Sequence, residues 1–218
     1  MPALTPEQAR RVYDRIGGAQ DWQRFYEDVA TAELVAHAGL GTAHAVVELG
    51  CGTGRFAATL LARHLPADAT YLGVDVSPRM AALASDRLQP WSHRATVALV
   101  DDQTRLPATD GSADRFVADY VFDLLSSEAT AAALAEARRV LVPGGLLCAA
   151  GLTGGEGAVA ALVSRAWRWV WDRWPAVVGG CRPVRLADAL TPGDWVVRHR
   201  RSVVAWGVAS EAVIAARR

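Results

Sequence analysis

Residues 46–54 read VVELGCGTG: an apolar run with the chemistry of a buried strand, then glycine at every second position, Gly50, Gly52 and Gly54. No other stretch restricts the fold as tightly. A side-chain-free corner after a buried strand belongs to a parallel sheet, whose ligands bind at the carboxyl ends of the strands, where each chain turns into a helix with unpaired N-terminal amides.

The chain from Ala45 onward fits such a sheet. Apolar runs at 45–49, 70–76, 95–100, 115–122, 146–151, 195–206 and 209–217 read as strands. Helical spacing occupies 56–65, 78–88, 126–141 and 158–174, with Ser77 as N-cap, Pro78 at the first helical position, and Pro143, Gly144 and Gly145 ending the third of these helices. This predicts an α/β doubly wound domain: a mostly parallel seven-stranded sheet with helices on both faces and an antiparallel last strand. Residues 1–40 read as helices ahead of the first strand.

Composition removes several functions. The chain has 218 residues, enough for one domain, and its 23 basic side chains balance 23 acidic ones, so no global field draws it to nucleic acid. All the basic residues are arginine, and lysine and asparagine are absent, which excludes Schiff-base and P-loop lysine chemistry. Cys51, Cys148 and Cys181 stand far apart without a CxxC pair, which fits a reducing compartment and leads us to expect a cytoplasmic protein. Neither a signal-like leader nor an apolar run of about 18 residues occurs. His37, His44, His64, His93 and His199 show no metal-ligand spacing among themselves, so no metal is expected.

A glycine-rich turn here suits a dinucleotide or another nucleoside ligand. The dinucleotide pattern GxGxxG needs glycine at position 55, which is Arg55, so an NAD(P)-dependent oxidoreductase is the weaker alternative. V-E-L-G-C-G-T-G instead resembles the first motif of class I S-adenosylmethionine (SAM) dependent methyltransferases. Three further segments follow in the family's order: Asp75 at the end of the second strand, DDQTRLP at 101–107, and DRFVADYVFDLL at 114–125 with the helix, turn and strand that succeed it.

The resemblance covers residues 45–150 and implies SAM as cofactor. Its methionyl part would lie across Gly50, Cys51, Gly52 and Gly54, where a Cβ would push the ligand away. Glu48 would organise this loop. Asp75, with Val76, would accept from the ribose hydroxyls, Met80 would pack beside the adenine, Asp102 would accept from the adenine amino group, and the Gln103 amide would face the ring. Asp119 would contact the ligand's ammonium or the acceptor, and Tyr120 would border the methyl group; these two are the candidate catalytic residues. Tyr13 is similar to the tyrosine of a Y-D opening found in related enzymes.

The same resemblance divides the single domain into an N-terminal lid (1–40), a SAM-binding core (45–150), a tryptophan-rich helical insertion (151–194) and closing strands (195–218). The expected acceptor is a small molecule or lipid, with a loose similarity to phospholipid N-methyltransferases and quinone-pathway methyltransferases. The tetrads NPPY and DPPY of nucleic-acid enzymes are missing from ADYVF at 118–122. A non-catalytic SAM-binding or partner-binding module is the second alternative. Trp167, Trp171 and Trp174 recur at helical spacing beside Arg165, Arg168 and Arg173, and three destinations are open to them: packing on the sheet, capping an apolar acceptor pocket, or peripheral contact with a membrane.

Overall fold

In the computed structural model, residues 5–101, 105–155, 158–174 and 180–218 are described. Two helices come first, α1 (Pro6–Ile16) and α2 (Arg24–His37), joined by a 3-10 turn over Gly17–Gln23. Thr5 starts α1: its side chain accepts from the Gln8 amide while the Gln8 side chain accepts from the Thr5 amide. Strands and helices then alternate through β1 (Ala45–Leu49), α3 (Arg55–Arg63), β2 (Thr70–Asp75), α4 (Pro78–Leu88), β3 (Ala95–Leu99) and β4 (Ala113–Asp119). They continue through α5 (Ser127–Val140), β5 (Leu141–Leu152), α6 (Ala158–Arg173), β6 (Trp195–Ala205) and β7 (Val208–Arg217).

Among the described residues the strands form one seven-stranded sheet in the order β3-β2-β1-β4-β5-β7-β6. β1 to β5 run parallel, and β7 is antiparallel to β5 and β6. This is the fold class that the apolar alternation predicts. Side chains along each strand alternate between two cores, as the pleat requires. Val46, Val117, Cys148 and Ile214 face one layer, with Tyr26, Ala30 and Leu34 of α2, and Ala38 just past its end, spaced every fourth residue against them. Val47, Phe116, Leu147 and Val213 face the other, against Ala133, Ala137 and Val140 of α5. Neither helix can bury its apolar stripe except against the sheet.

Two boundaries differ from the sequence expectation. β4 stops at Asp119, not Phe122, because Tyr120 takes a left-handed backbone, φ 55°, and the chain folds under with Leu124 bonding back to Val121. Apolar Val121 and Phe122 are buried by that turn instead of by the strand. Pro143, Gly144 and Gly145 do not separate α5 from a strand: β5 begins directly at Leu141, which pairs with Ala113. The Pro-Gly-Gly residues form an irregularity before pairing resumes at Arg115 with Leu146. Asp102 and Gln103 lie outside the described residues. No described helix is long and apolar enough to cross a membrane.

Arg115 fastens α2 to this sheet. Though charged, it is only 8% exposed, and its guanidinium donates to the carbonyls of Ala38 and Gly39, both at 2.7 Å, and to Thr42 Oγ1 at 3.2 Å. It thereby satisfies carbonyls that the end of α2 leaves orphaned. Its neighbour Asp114 accepts from the His44 amide at 2.8 Å, so the link from α2 to β1 is held twice. We expect Arg115→Met, which keeps the bulk and deletes the donors, to lower stability by about 2–3 kcal/mol, since buried acceptors lose their partners. The urea midpoint should fall with an unchanged m-value. A loss under about 0.5 kcal/mol, typical of a surface change, would remove Arg115 from this role.

Candidate active site

β1 ends in a corner whose shape comes from its own amides. Gly50 and Cys51 both donate to the Val74 carbonyl on β2, at 2.8 and 3.0 Å, and Gly54 donates back to Cys51 at 2.9 Å. Gly50, Gly52 and Gly54 all take left-handed φ angles of 69°, 53° and 73°. Their side-chain-free space is used by the protein itself. A Cβ on Gly50 would lie 2.6 Å from a Val121 methyl, and one on Gly54 would lie 2.9 Å from the Ala84 backbone of α4. Backbone conformation and close packing therefore demand glycine here before any ligand does. Gly50 and Gly52 also line a cleft, whereas Gly54 sits behind it, at the start of α3.

The cleft has a volume of about 540 Å³. The glycine corner forms its floor, the strand tips at Asp75, Val76, Asp119 and Tyr120 one side, and Tyr13 and Gln20 of the N-terminal segment another. Asp75 is 9% exposed. Its Oδ2 accepts from the Gly52 amide at 2.9 Å and its Oδ1 from the Ser77 amide at 2.8 Å. Each oxygen keeps a second lone pair, so a vicinal diol in the cleft can still bond to it. Burial raises the Asp75 pKa, against the pull of these amides.

A smaller pocket of about 50 Å³ adjoins the corner and shares Gln20, Gly50, Gly52, Asp119 and Tyr120 with the cleft. Glu48 and Cys51 line it, joined by Glu27 of α2 and Arg55 of α3. Its carboxylates are crowded and dry. Burial pushes Glu48 up to about 8, even though Tyr71 donates to it at 2.7 Å. Burial and the nearby Asp119 push Glu27 to about 8. Asp119 is pushed to about 7 by burial, opposed by Thr31, which donates to it at 3.2 Å, and by Arg55. Arg55 itself pairs with Asp28 at 2.9 Å and with Glu27 at 3.5 Å. The pocket thus holds more acid groups than its cation can neutralise, and suits a positively charged group.

The remaining predicted residues lie nearby but in other roles. Met80, in the first turn of α4, is fully buried and does not line the cleft. Tyr120 lines it, yet its hydroxyl donates to Ser210 Oγ at 2.7 Å and burial raises its pKa, so it stays neutral. Tyr13 reaches across to hydrogen-bond the Cys181 thiol. His199, on β6, does not line the cleft and meets Glu33 at 2.9 Å. Gln20, Glu27 and Thr31 were not legible as site residues: they come from the N-terminal segment, and only the packing of α2 brings them to the corner.

That segment is tied down at several points. Ser77 donates to Asp14 at 2.5 Å, Thr53 donates to Asp21 at 2.6 Å, and Arg87 pairs with Asp21 at 2.9 Å. On the far side, Tyr26 meets the rings of Tyr120 and Trp167 edge-on at 5.8 and 6.2 Å. The tryptophan helix divides between destinations. Trp167 and Trp171 turn inward, their indole N–H groups donating to the carbonyls of Cys181 and Gly180. Trp174 remains 53% exposed, packed edge-on against exposed Trp169.

Residues 46–145 match a family model described as a methyltransferase domain. Trans-aconitate 2-methyltransferase of Methylobacterium radiotolerans is 35% identical over 125 residues, covering 56% of this chain and 44% of that protein. The matches span less than half the length of the curated relatives. In fold the chain is similar to the cyclase SpnF, with a TM-score of 0.75 and 19% identity over all of this chain and 98% of that one. It is also similar to geranyl diphosphate C-methyltransferase of Streptomyces coelicolor A3(2), solved with S-adenosyl-L-homocysteine, at a TM-score of 0.66 and 13% identity over 88% of this chain and 79% of that one. The matched segment is the one that builds the glycine corner and the acid-tipped strands around the cleft, so the residues at this site are those that match a methyltransferase domain.

Proposed function

We propose that this chain transfers a methyl group from SAM to a small-molecule or lipid acceptor by in-line displacement. The observation that carries the reading is Asp75. It is a buried carboxylate on the cleft wall, held by the Gly52 and Ser77 amides and retaining acceptor capacity for a ribose diol. The neighbouring acid pocket of Glu27, Glu48 and Asp119 suits the positive charge of the same ligand. Bound SAM would supply an electrophilic methyl group on a sulfonium. Support for this cofactor comes from the methyltransferase domain and from the S-adenosyl-L-homocysteine bound by the Streptomyces coelicolor neighbour.

The protein's part in such a displacement is alignment and exclusion of water, which can contribute roughly 7–11 kcal/mol. Asp119, with its carboxyl near neutrality, is the group placed to take a proton from an acceptor that must lose one. Tyr120 has its hydroxyl committed to Ser210, so its contribution is shape. Residues 1–40 act as a lid in this reading: Tyr13 and Gln20 form part of the cleft wall, and Asp21 latches the segment to Thr53 and Arg87.

Calorimetry should find micromolar SAM binding to the unaltered chain, weakened more than tenfold by Asp75→Ala, a change of over about 1.4 kcal/mol. Equal binding by a variant shown folded by circular dichroism would sink the site assignment. Labelled SAM mixed with fractionated small molecules and lipids tests transfer itself, and binding without any labelled product would favour the non-catalytic alternative.

Affinity should also depend on pH. A bound cation favours the ionised carboxylates of Glu27, Glu48 and Asp119, whose pKa values near 7 to 8 leave them partly protonated in the free protein. Dissociation constants should therefore fall between pH 6 and pH 7.5, with protons released on binding, as titrations in buffers of differing ionisation enthalpy would reveal. A flat profile would detach these groups from the ligand. Asp21→Ala, which frees the lid's latch, should raise the SAM dissociation rate several-fold in stopped-flow traces.

A further inference from the structure

At the β6 edge of the sheet, away from the cleft, α2 and β6 bring two imidazoles and a carboxylate together. Glu33 and His37 stand one turn apart on α2 and share a face, while His199 comes from β6. His199 Nε2 lies 2.9 Å from Glu33 Oε1, and His37 Nδ1, which also lies 3.0 Å from the Glu33 main-chain carbonyl, is 3.4 Å from the same oxygen. One donor atom from each of the three residues falls within 4.8 Å of the other two. A divalent ion with tetrahedral bonds of about 2.0–2.1 Å holds its donors about 3.3 Å apart, so two edges of such a site are already near that length.

The surroundings favour a ligand set over a simple ion pair. One carboxylate faces two rings, and the rings of His37 and His199 stack 3.6 Å apart at an interplanar angle of 5°. Arg201 Nη1 holds the other Glu33 oxygen, Oε2, at 3.3 Å and so orients Oε1 toward the rings, as outer partners of metal-bound carboxylates do. The His37 side chain is 42% exposed, which gives solvent access and room for its ring to leave the stack and aim a nitrogen at the ion.

We propose that Glu33, His37 and His199 bind a divalent first-row metal ion, with the remaining coordination left to water. Two imidazoles and one carboxylate suit Zn²⁺ best and also Fe²⁺. The ion would brace α2 against β6. The same helix carries Thr31 and Glu27 to the acid pocket, so the brace bears on the wall of the active site. The spacing of histidines alone cannot reveal this set, because one donor is a carboxylate and the second ring comes from a strand far along the chain.

The test uses the full chain without a histidine tag, titrated with Zn²⁺ by calorimetry and with Co²⁺ by visible absorption. One equivalent should bind, Co²⁺ should give the intense bands of a low-coordinate site, and Zn²⁺ should raise the melting temperature. His199→Ala and Glu33→Gln should each weaken binding at least tenfold, and His37→Ala, at an exposed position that folding tolerates, should do the same. Absence of saturable binding, or affinity unchanged in both His37→Ala and His199→Ala, would overturn the proposal and leave an ion-paired cluster.

Discussion

The functional end of this molecule depends on the placement of one buried carboxylate. Asp75 ends β2 and accepts from Gly52, in the corner after β1, and from Ser77, the cap of α4. Two strand-to-helix turns are thereby locked to each other by a group that also faces the cleft. Burial disfavours its charge, and the amides restore part of what burial takes away. The glycine corner keeps its left-handed backbone against Val121 and Ala84 because this bond and the Val74 carbonyl fix where its amides point.

Around that anchor the protein has concentrated acid groups where water is scarce. Glu48 comes from β1, Asp119 from β4 and Glu27 from α2, so three separate parts of the fold deliver them. Arg55 is shared between Glu27 and Asp28 and cannot compensate all of them. Such crowding disfavours the ionised carboxylates as long as no further cation joins them. The turn at Tyr120 belongs to the same logic: a non-glycine residue with φ 55° lets β4 stop abruptly, leaving Asp119 at the rim while Tyr120 is anchored to Ser210 on β7.

Where local chemistry decides, the sequence is transparent. β1 and α4 fall on the residues that patterning and capping indicate, because a pentapeptide apolar but for Glu48 and a Ser-Pro start leave little choice. β4 reads too long because Val121 and Phe122 are as apolar as the strand before them, and only the backbone at Tyr120 separates the two. At the site, Asp75 and the glycines follow from spacing, whereas Glu27, Gln20 and Thr31 depend on how α2 docks. Arg115 determines that docking by holding carbonyls about seventy-five residues away in sequence, which no local pattern encodes. The tryptophan helix is a mixed case. Its periodicity is plain, but which rings turn inward was settled by carbonyls at Gly180 and Cys181.

The outermost strand has a consequence for how this protein behaves in a crowded solution. β6 is an edge of 11 residues, long enough to template a neighbour's strand. Its pairing with β7 slips between Val197 and His199, and the extra residue is Arg198, followed by Arg200 and the exposed Arg201. A bulge kinks the rim and interrupts its ladder, which makes β6 a poorer template for an added strand than a flat edge of the same length.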